Sequence, residues 1–154
     1  MSKANLNKLI EMVLDVRICM LTTLQSDALL KSRPMYLLEA DDEGNLWFFN
    51  NKNACNANEI KENPSINLAF ADMHKQQYVS ISGSAELIHD KEHMARLMGN
   101  VVKSWFPDGL EDQSLSLLKV KLEKAEYWEN DESRLEMLFD LDKDRMGKGE
   151  TVLP

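Results

Sequence analysis

The densest run of side chains able to do chemistry is "FFNNKNACNANEI", residues 48–60. It carries five asparagines in nine residues, Asn50, Asn51, Asn53, Asn56 and Asn58, with Lys52 and Cys55 among them. Side-chain amides, one ammonium and the backbone amides of a following helix start suit the capture of an anion. Upstream, Arg33 in "KSRPMY" offers a planar fork that matches phosphate geometry. Cys55 sits near the helix start, where a thiolate is stabilised; it reads either as a redox thiol or as an incidental side chain. Cys19 lies in an apolar run and reads as core. The two cysteines have no metal-type spacing and are expected as thiols. "HDKEH", residues 89–93, matches the H-x-x-E-H pattern of some zinc peptidases, with Glu92 as base. No third ligand is placed and His89 precedes the helix. The segment is therefore expected to be a solvated first turn with Asp90 as its N-cap. The acidic run "DLDKDR" lacks the glycine and terminal glutamate of a calcium loop. No metal site is expected, and no acid–base pair or nucleophile stands out, so no catalytic residue is assigned.

These side chains must be held by elements that the hydrophobic periodicity outlines. Leu6, Leu9, Ile10, Val13 and Leu14 recur at helical spacing, which predicts an amphipathic helix over 3–16. Strands are predicted at 17–24, 30–40, 46–50, 65–71, 77–88 and 116–128, with a hairpin turn at 41–45. Pro34 places the middle of the second strand at an edge or a bulge. A short helix over 57–64 stops before Pro64, a second helix spans 91–106, and a terminal helical tail covers about 132–148. Six strands joined mostly by tight turns indicate a mainly β, six-stranded antiparallel barrel with flanking helices. The regular βαβ alternation of a doubly wound sheet is absent. One domain over 1–154 is expected, with no repeats and no linker.

Composition narrows the partners. The chain is 44% hydrophobic and 29% charged, a globular balance. Its net charge of -8 argues against nucleic acid, which is bound by lysine and arginine replacing counterions, and against anionic membranes. No apolar run reaches the roughly 20 residues needed to cross a bilayer. The N-terminal segment lacks the apolar centre and small-residue cleavage site of a signal peptide. A cytoplasmic location is the expectation. None of this excludes one phosphate held by a few aimed donors.

"SRPMYLL" (32–38), "LWFFN" (46–50), "EIKENP" (59–64), "YVSISGSAEL" (78–87), "SWFPDG" (104–109) and "KAEYW" (124–128) follow one another in an order that resembles the general stress protein branch of the pyridoxamine 5'-phosphate oxidase-like family of FMN-binding split barrels. The likeness runs over about residues 6–140. It implies a six-stranded split barrel, a homodimer, and FMN bound between the subunits. By this resemblance Arg33 contacts the FMN phosphate, and the backbone of Pro34, Met35 and Tyr36 lies along the flavin ring. Asn50 and Asn56 stand at the phosphate loop, with Asn51, Lys52 and Cys55 between them and Lys52 as the replacement cation, and Phe49 bounds the flavin. Tyr78 aligns with a position where some relatives carry a ligand-contacting glutamine, and Trp105 stands near the mouth of the site. For Phe49, Tyr78 and Trp105 the competing reading is packing alone.

The chain departs from the family pattern at the phosphate loop. Where relatives carry a threonine, a serine and a lysine, it has Asn50, Ala54 and Asn56. Loss of a cation and a hydroxyl weakens phosphate binding by about 2–4 kcal/mol, about 30- to 1000-fold. Two readings follow: a flavoprotein, possessing oxidoreductase chemistry or a stress-related flavin-binding role with an unspecified substrate, or a flavin-free barrel dimer acting as a non-catalytic ligand-binding or interaction module.

Overall fold

A computed structural model describes residues 2–99, 103–104, 106–129 and 150–152. Its elements are α1 (Lys3–Val16), β1 (Ile18–Leu24), β2 (Leu30–Tyr36), β3 (Glu39–Ala40), β4 (Asn45–Asn51), α2 (Cys55–Glu62), β5 (Ser65–Asp72), β6 (Gln77–Ile88), α3 (Lys91–Leu97), a 3-10 turn (Gly109–Glu111), β7 (Leu115–Glu129) and β8 (Glu150–Val152). The six long strands are the six expected. β3 and β8 are short additions of two and three residues.

All pairings are antiparallel. The order is β2-β1-β5-β6-β7-β4-β3, with β8 beside β7. The two end strands, β2 and β3, follow each other in the chain, so the sheet curls round and closes covalently through Leu37 and Leu38. That is a split barrel. The sequence pattern predicts one strand over 30–40, but the ladder changes partner midway. Leu37 N donates to Arg17 O at 2.7 Å and Leu38 N to Trp47 O at 2.9 Å. The Arg17 guanidinium then bonds both free carbonyls, Leu37 O at 3.1 Å and Leu38 O at 3.2 Å. As expected for a strand containing Pro34, β2 is an edge.

Alternation sends Leu21, Leu46, Phe48, Leu68, Ile81, Leu118 and Val120 into the barrel, where Leu9, Met12 and Val13 of α1 join them. The opposite face of β4 is also covered. Trp47 and Phe49 pack with Met94 of α3 and with Leu115 and Leu117 in a second cluster. The hairpin after β3 is held by Asp41, whose carboxylate accepts from Glu43 N, Asn45 N, Asn45 Nδ2 and Trp47 Nε1. Gly44 takes φ +85°, the left-handed region this turn needs. The helix expected over 91–106 is interrupted: α3 ends at Leu97, and residues 103–104 are helical again, with Lys103 N donating to Gly99 O at 3.1 Å. Met98 is extended and Gly99 follows, a poor helix former. The tail expected at 132–148 lies outside the described residues.

Candidate functional site

Helix α2 starts at Cys55, two residues earlier than its periodicity suggests, and lies across β1 and β6. Its N-cap is Ala54, which supplies no side-chain acceptor to the first-turn amides. Asn56 and Glu59, three residues apart, share one face. Both are buried, and each meets a predicted anion-binding residue from a different strand.

Glu59 meets Arg33. Arg33 Nη2 lies 2.9 Å from Glu59 Oε2, with side chains 18% and 10% exposed. Glu59 also accepts from Thr23 Oγ1 at 2.5 Å and from Gln25 Nε2 at 3.2 Å. The Thr23 hydroxyl hydrogen bond, aided by those from Arg33 and Gln25, outweighs burial and holds the Glu59 carboxyl below its usual range. Asn56 meets Asn50: its Nδ2 donates to Asn50 Oδ1 at 3.2 Å. Beneath them Ser116 Oγ donates to Asn50 O at 3.2 Å.

Two donors in this arrangement have no partner. Arg33 Nη1 and Asn50 Nδ2 are buried and make no hydrogen bond. Buried donors are rarely left so, because an unpaired one costs about 1–3 kcal/mol. One charged fork and one amide, with the first-turn amides of α2, form the donor set a phosphate or carboxylate requires. The residues present therefore fit a phosphate ester. Among the described residues, Glu59 is the acceptor that competes for the fork.

The other expected site residues fall into three groups. Pro34 and Tyr36 lie on the outer face of β2, where Pro34 pairs with Met20 and Tyr36 with Ile18, while Met35 turns into the core. Tyr78 is half-buried on the same outer face, across from Ala71 and Trp128, and its hydroxyl donates to Met73 Sδ at 3.8 Å. Phe49 is packed in the second cluster, its ring 6.2 Å from Phe106 and 8% exposed, because alternation carries it to the α3 side of β4. Asn51 is exposed and its side chain caps Asn53 N at 2.8 Å. Lys52 is exposed and lines a separate cleft on the α3 side. The backbone of Cys55 opens α2, and Trp105 lies outside the described residues.

Glu59 is the residue sequence reasoning missed. Its signal was local: the first acid inside a helix that follows an asparagine-rich loop. Among the rival motifs, Asp90 caps α3 as expected, accepting from His93 N at 3.1 Å. His93 Nε2 lies 2.9 Å from Glu39 Oε2, and its ring sits edge-on to Trp47 at 4.3 Å. No group of three His, Cys, Asp or Glu side chains is placed to hold a metal among the described residues. Cys19 is buried as expected, and burial pushes its thiol up to about 12.

A family profile described as "Pyridoxamine 5'-phosphate oxidase like" matches residues 4–151. The chain is 26% identical over 132 residues to Protein bli-3 of Neurospora crassa, a match that covers 79% of this chain and 63% of that protein's length. Among solved structures, a Clostridium acetobutylicum protein related to general stress protein 26 superposes with TM-score 0.77 at 20% identity, over 99% of this chain and 96% of that one. The general stress FMN/FAD binding protein of Xanthomonas citri superposes with TM-score 0.72 at 27% identity, over 84% of this chain and 92% of that one.

Proposed function

Because the chain belongs to the pyridoxamine 5'-phosphate oxidase-like family, whose profile spans residues 4–151, we propose that it is an FMN-binding flavoprotein. The observation that carries this reading is the pair of unpartnered buried donors, Arg33 Nη1 and Asn50 Nδ2, held on one face of α2. Arg33, Asn50, Asn56 and the first-turn amides of α2 would hold the phosphate. From Arg33, on the inner side of the edge strand β2, the flavin would pass along the backbone of Pro34, Met35 and Tyr36 toward the outer face. Bound FMN supplies electron transfer, and the protein supplies binding, orientation and electrostatics.

The same outer face supports a homodimer. Pro34, Met20, Ala69 and Ser80 form one row across four strands, and Ile18 and Met20 are 52% and 42% exposed. A face of small and apolar residues suits a second copy of itself, with a flavin at the seam. A flavin-dependent oxidoreductase is the activity this arrangement would serve, with its substrate and electron donor unassigned.

A second reading has its own support. Glu59 already neutralises Arg33, and Asn50 already bonds Asn56. A barrel with its fork so occupied would serve as a flavin-free binding module. FMN titration decides between the two. Retention of flavin bands at about 370 and 450 nm through gel filtration supports the first. Arg33→Ala is expected to weaken FMN by about 10- to 150-fold, the loss of one charge-assisted contact. No binding of FMN at micromolar concentration would leave the flavin-free reading standing.

A further inference from the structure

On the other side of α2 lies a cleft that the phosphate site does not use. Its volume is about 730 Å³, within the range of about 300–1,000 Å³ typical of small-molecule sites. Lys61 lines it and stands two residues past Glu59, so it points about 200° around the helix from the Arg33 side. Lys52 reaches it from the end of β4, and Lys91 from the start of α3. Leu87, Ile88 and Leu110 supply apolar wall.

Three features mark this concavity. Its cations come from three separate elements, so they are not the solvated face of one helix. None of Lys52, Lys61 and Lys91 makes an ion pair within 4 Å among the described residues, although the chain carries 26 acids against 18 bases. The acids on the cleft wall are Glu111 and Asp112; Asp112 accepts from Ser114 N at 2.9 Å and Ser114 Oγ at 2.6 Å and also feels the charge of Lys52, which leaves Lys61 and Lys91 as the less opposed cations. Leu110 is 43% exposed, a large apolar side chain left open at the mouth.

We infer that this cleft binds a small organic dianion, a phosphate-like head among the three lysines with an apolar body against Leu87, Ile88 and Leu110. The inference does not rest on the flavin reading, since none of the proposed phosphate ligands Arg33, Asn50 and Asn56 lines this cleft; the two sites meet only at Ser116, which lines the cleft and bonds Asn50 O. Ammonium groups act as point charges on a phosphate and tolerate varied ligand shapes, which suits a substrate or effector rather than a tightly held cofactor.

Phenyl phosphate is the probe, read by amide chemical shifts of the full-length protein. The expected result is a saturable shift of the Leu87, Ile88 and Leu110 amides. In the double variant Lys61→Gln, Lys91→Gln, affinity should fall by about 2- to 30-fold, from loss of two charge contacts. FMN binding should be unchanged in that variant, and Arg33→Ala should keep the shifts at Leu87, Ile88 and Leu110. Shifts confined to residues around Arg33 and Asn50, or equal affinity in the double variant, would overturn the inference. A result in which inorganic phosphate competes but the apolar body adds no affinity would overturn the assignment of Leu87, Ile88 and Leu110.

Discussion

Neutralising Glu59 should move stability and flavin affinity in opposite directions. In the protein as it stands, this carboxylate takes three hydrogen bonds, from Thr23, Arg33 and Gln25. Glu59→Gln keeps the size and one acceptor oxygen but removes the charge. Replacing a charge-assisted bond of about 1.5–3 kcal/mol by a neutral one of about 0.5–1.5 costs about 1–2 kcal/mol. For a chain of 154 residues that lowers Tm by about 2–8 °C. The effect on a bound phosphate has the other sign. Two anions sharing one guanidinium at about 5 Å repel by about 3 kcal/mol per charge pair at an effective dielectric of 20. Partial exposure and movement of Arg33 reduce this, leaving a gain of about 1–2 kcal/mol, or about 5- to 30-fold tighter FMN. Fluorescence titration of FMN against wild type and Glu59→Gln, with thermal melts of both apo proteins, measures the two effects. The pH profile gives a third check. Because the folded-state pKa of Glu59 lies below its ordinary value of 4.5, its stabilisation is complete above that value. It is lost as the pH falls from there through the folded pKa. Glu59→Gln should flatten this acid limb. Weaker FMN binding in Glu59→Gln would refute the reasoning, since it would mean that the carboxylate aims Arg33 at the ligand rather than competing with it.

Three further substitutions test the frame that holds the site. A Cβ on Gly83 would lie 2.1 Å from Lys121 O, where the β6–β7 register shifts; Gly83→Ala should cost about 3 kcal/mol, seen as a lower urea midpoint with an unchanged slope. Met20→Asp puts a charge in the centre of the outer face and should convert a dimer to a monomer in size-exclusion chromatography with light scattering; a dimer of unchanged affinity would remove that face from the interface. Asp41 is subject to burial, which disfavours its charge, but the bonds from Asn45, Trp47 and Glu43 outweigh it and hold the carboxyl below its ordinary value of 3.8. Its stabilisation is present above that value and lost as the pH falls below it, so Asp41→Asn should lose stability at neutral pH and show a shallower acid transition in circular dichroism.

The elements were legible because their causes are local. The alternation of "QYVSISGSAELI" predicts β6 over 77–88, its observed span, and the apolar spacing of 3–16 predicts α1 to the residue. Strand period, helix period and turn chemistry each act over a few neighbours, so the order of side chains determined them. Arg33 as a candidate anion fork and the asparagine loop before α2 were legible in the same way, from residue type. Their partners were not. Glu59 lies 26 residues from Arg33, and nothing near either position in the chain says that β2 and α2 will bring them within 2.9 Å. Nor does the alternation of β4 reveal that both faces are buried. Phe49 meets Met94 and Phe106 only because α3 covers that side. Lys52, two residues from Asn50, lines a cleft that Arg33 does not, because it sits past the end of β4 in the turn that leads to α2. Composition and period determined which residues are strand, helix and donor. Long-range packing decided which donors are already satisfied and which remain open, since the cost of a buried charge depends on what the rest of the chain folds against it.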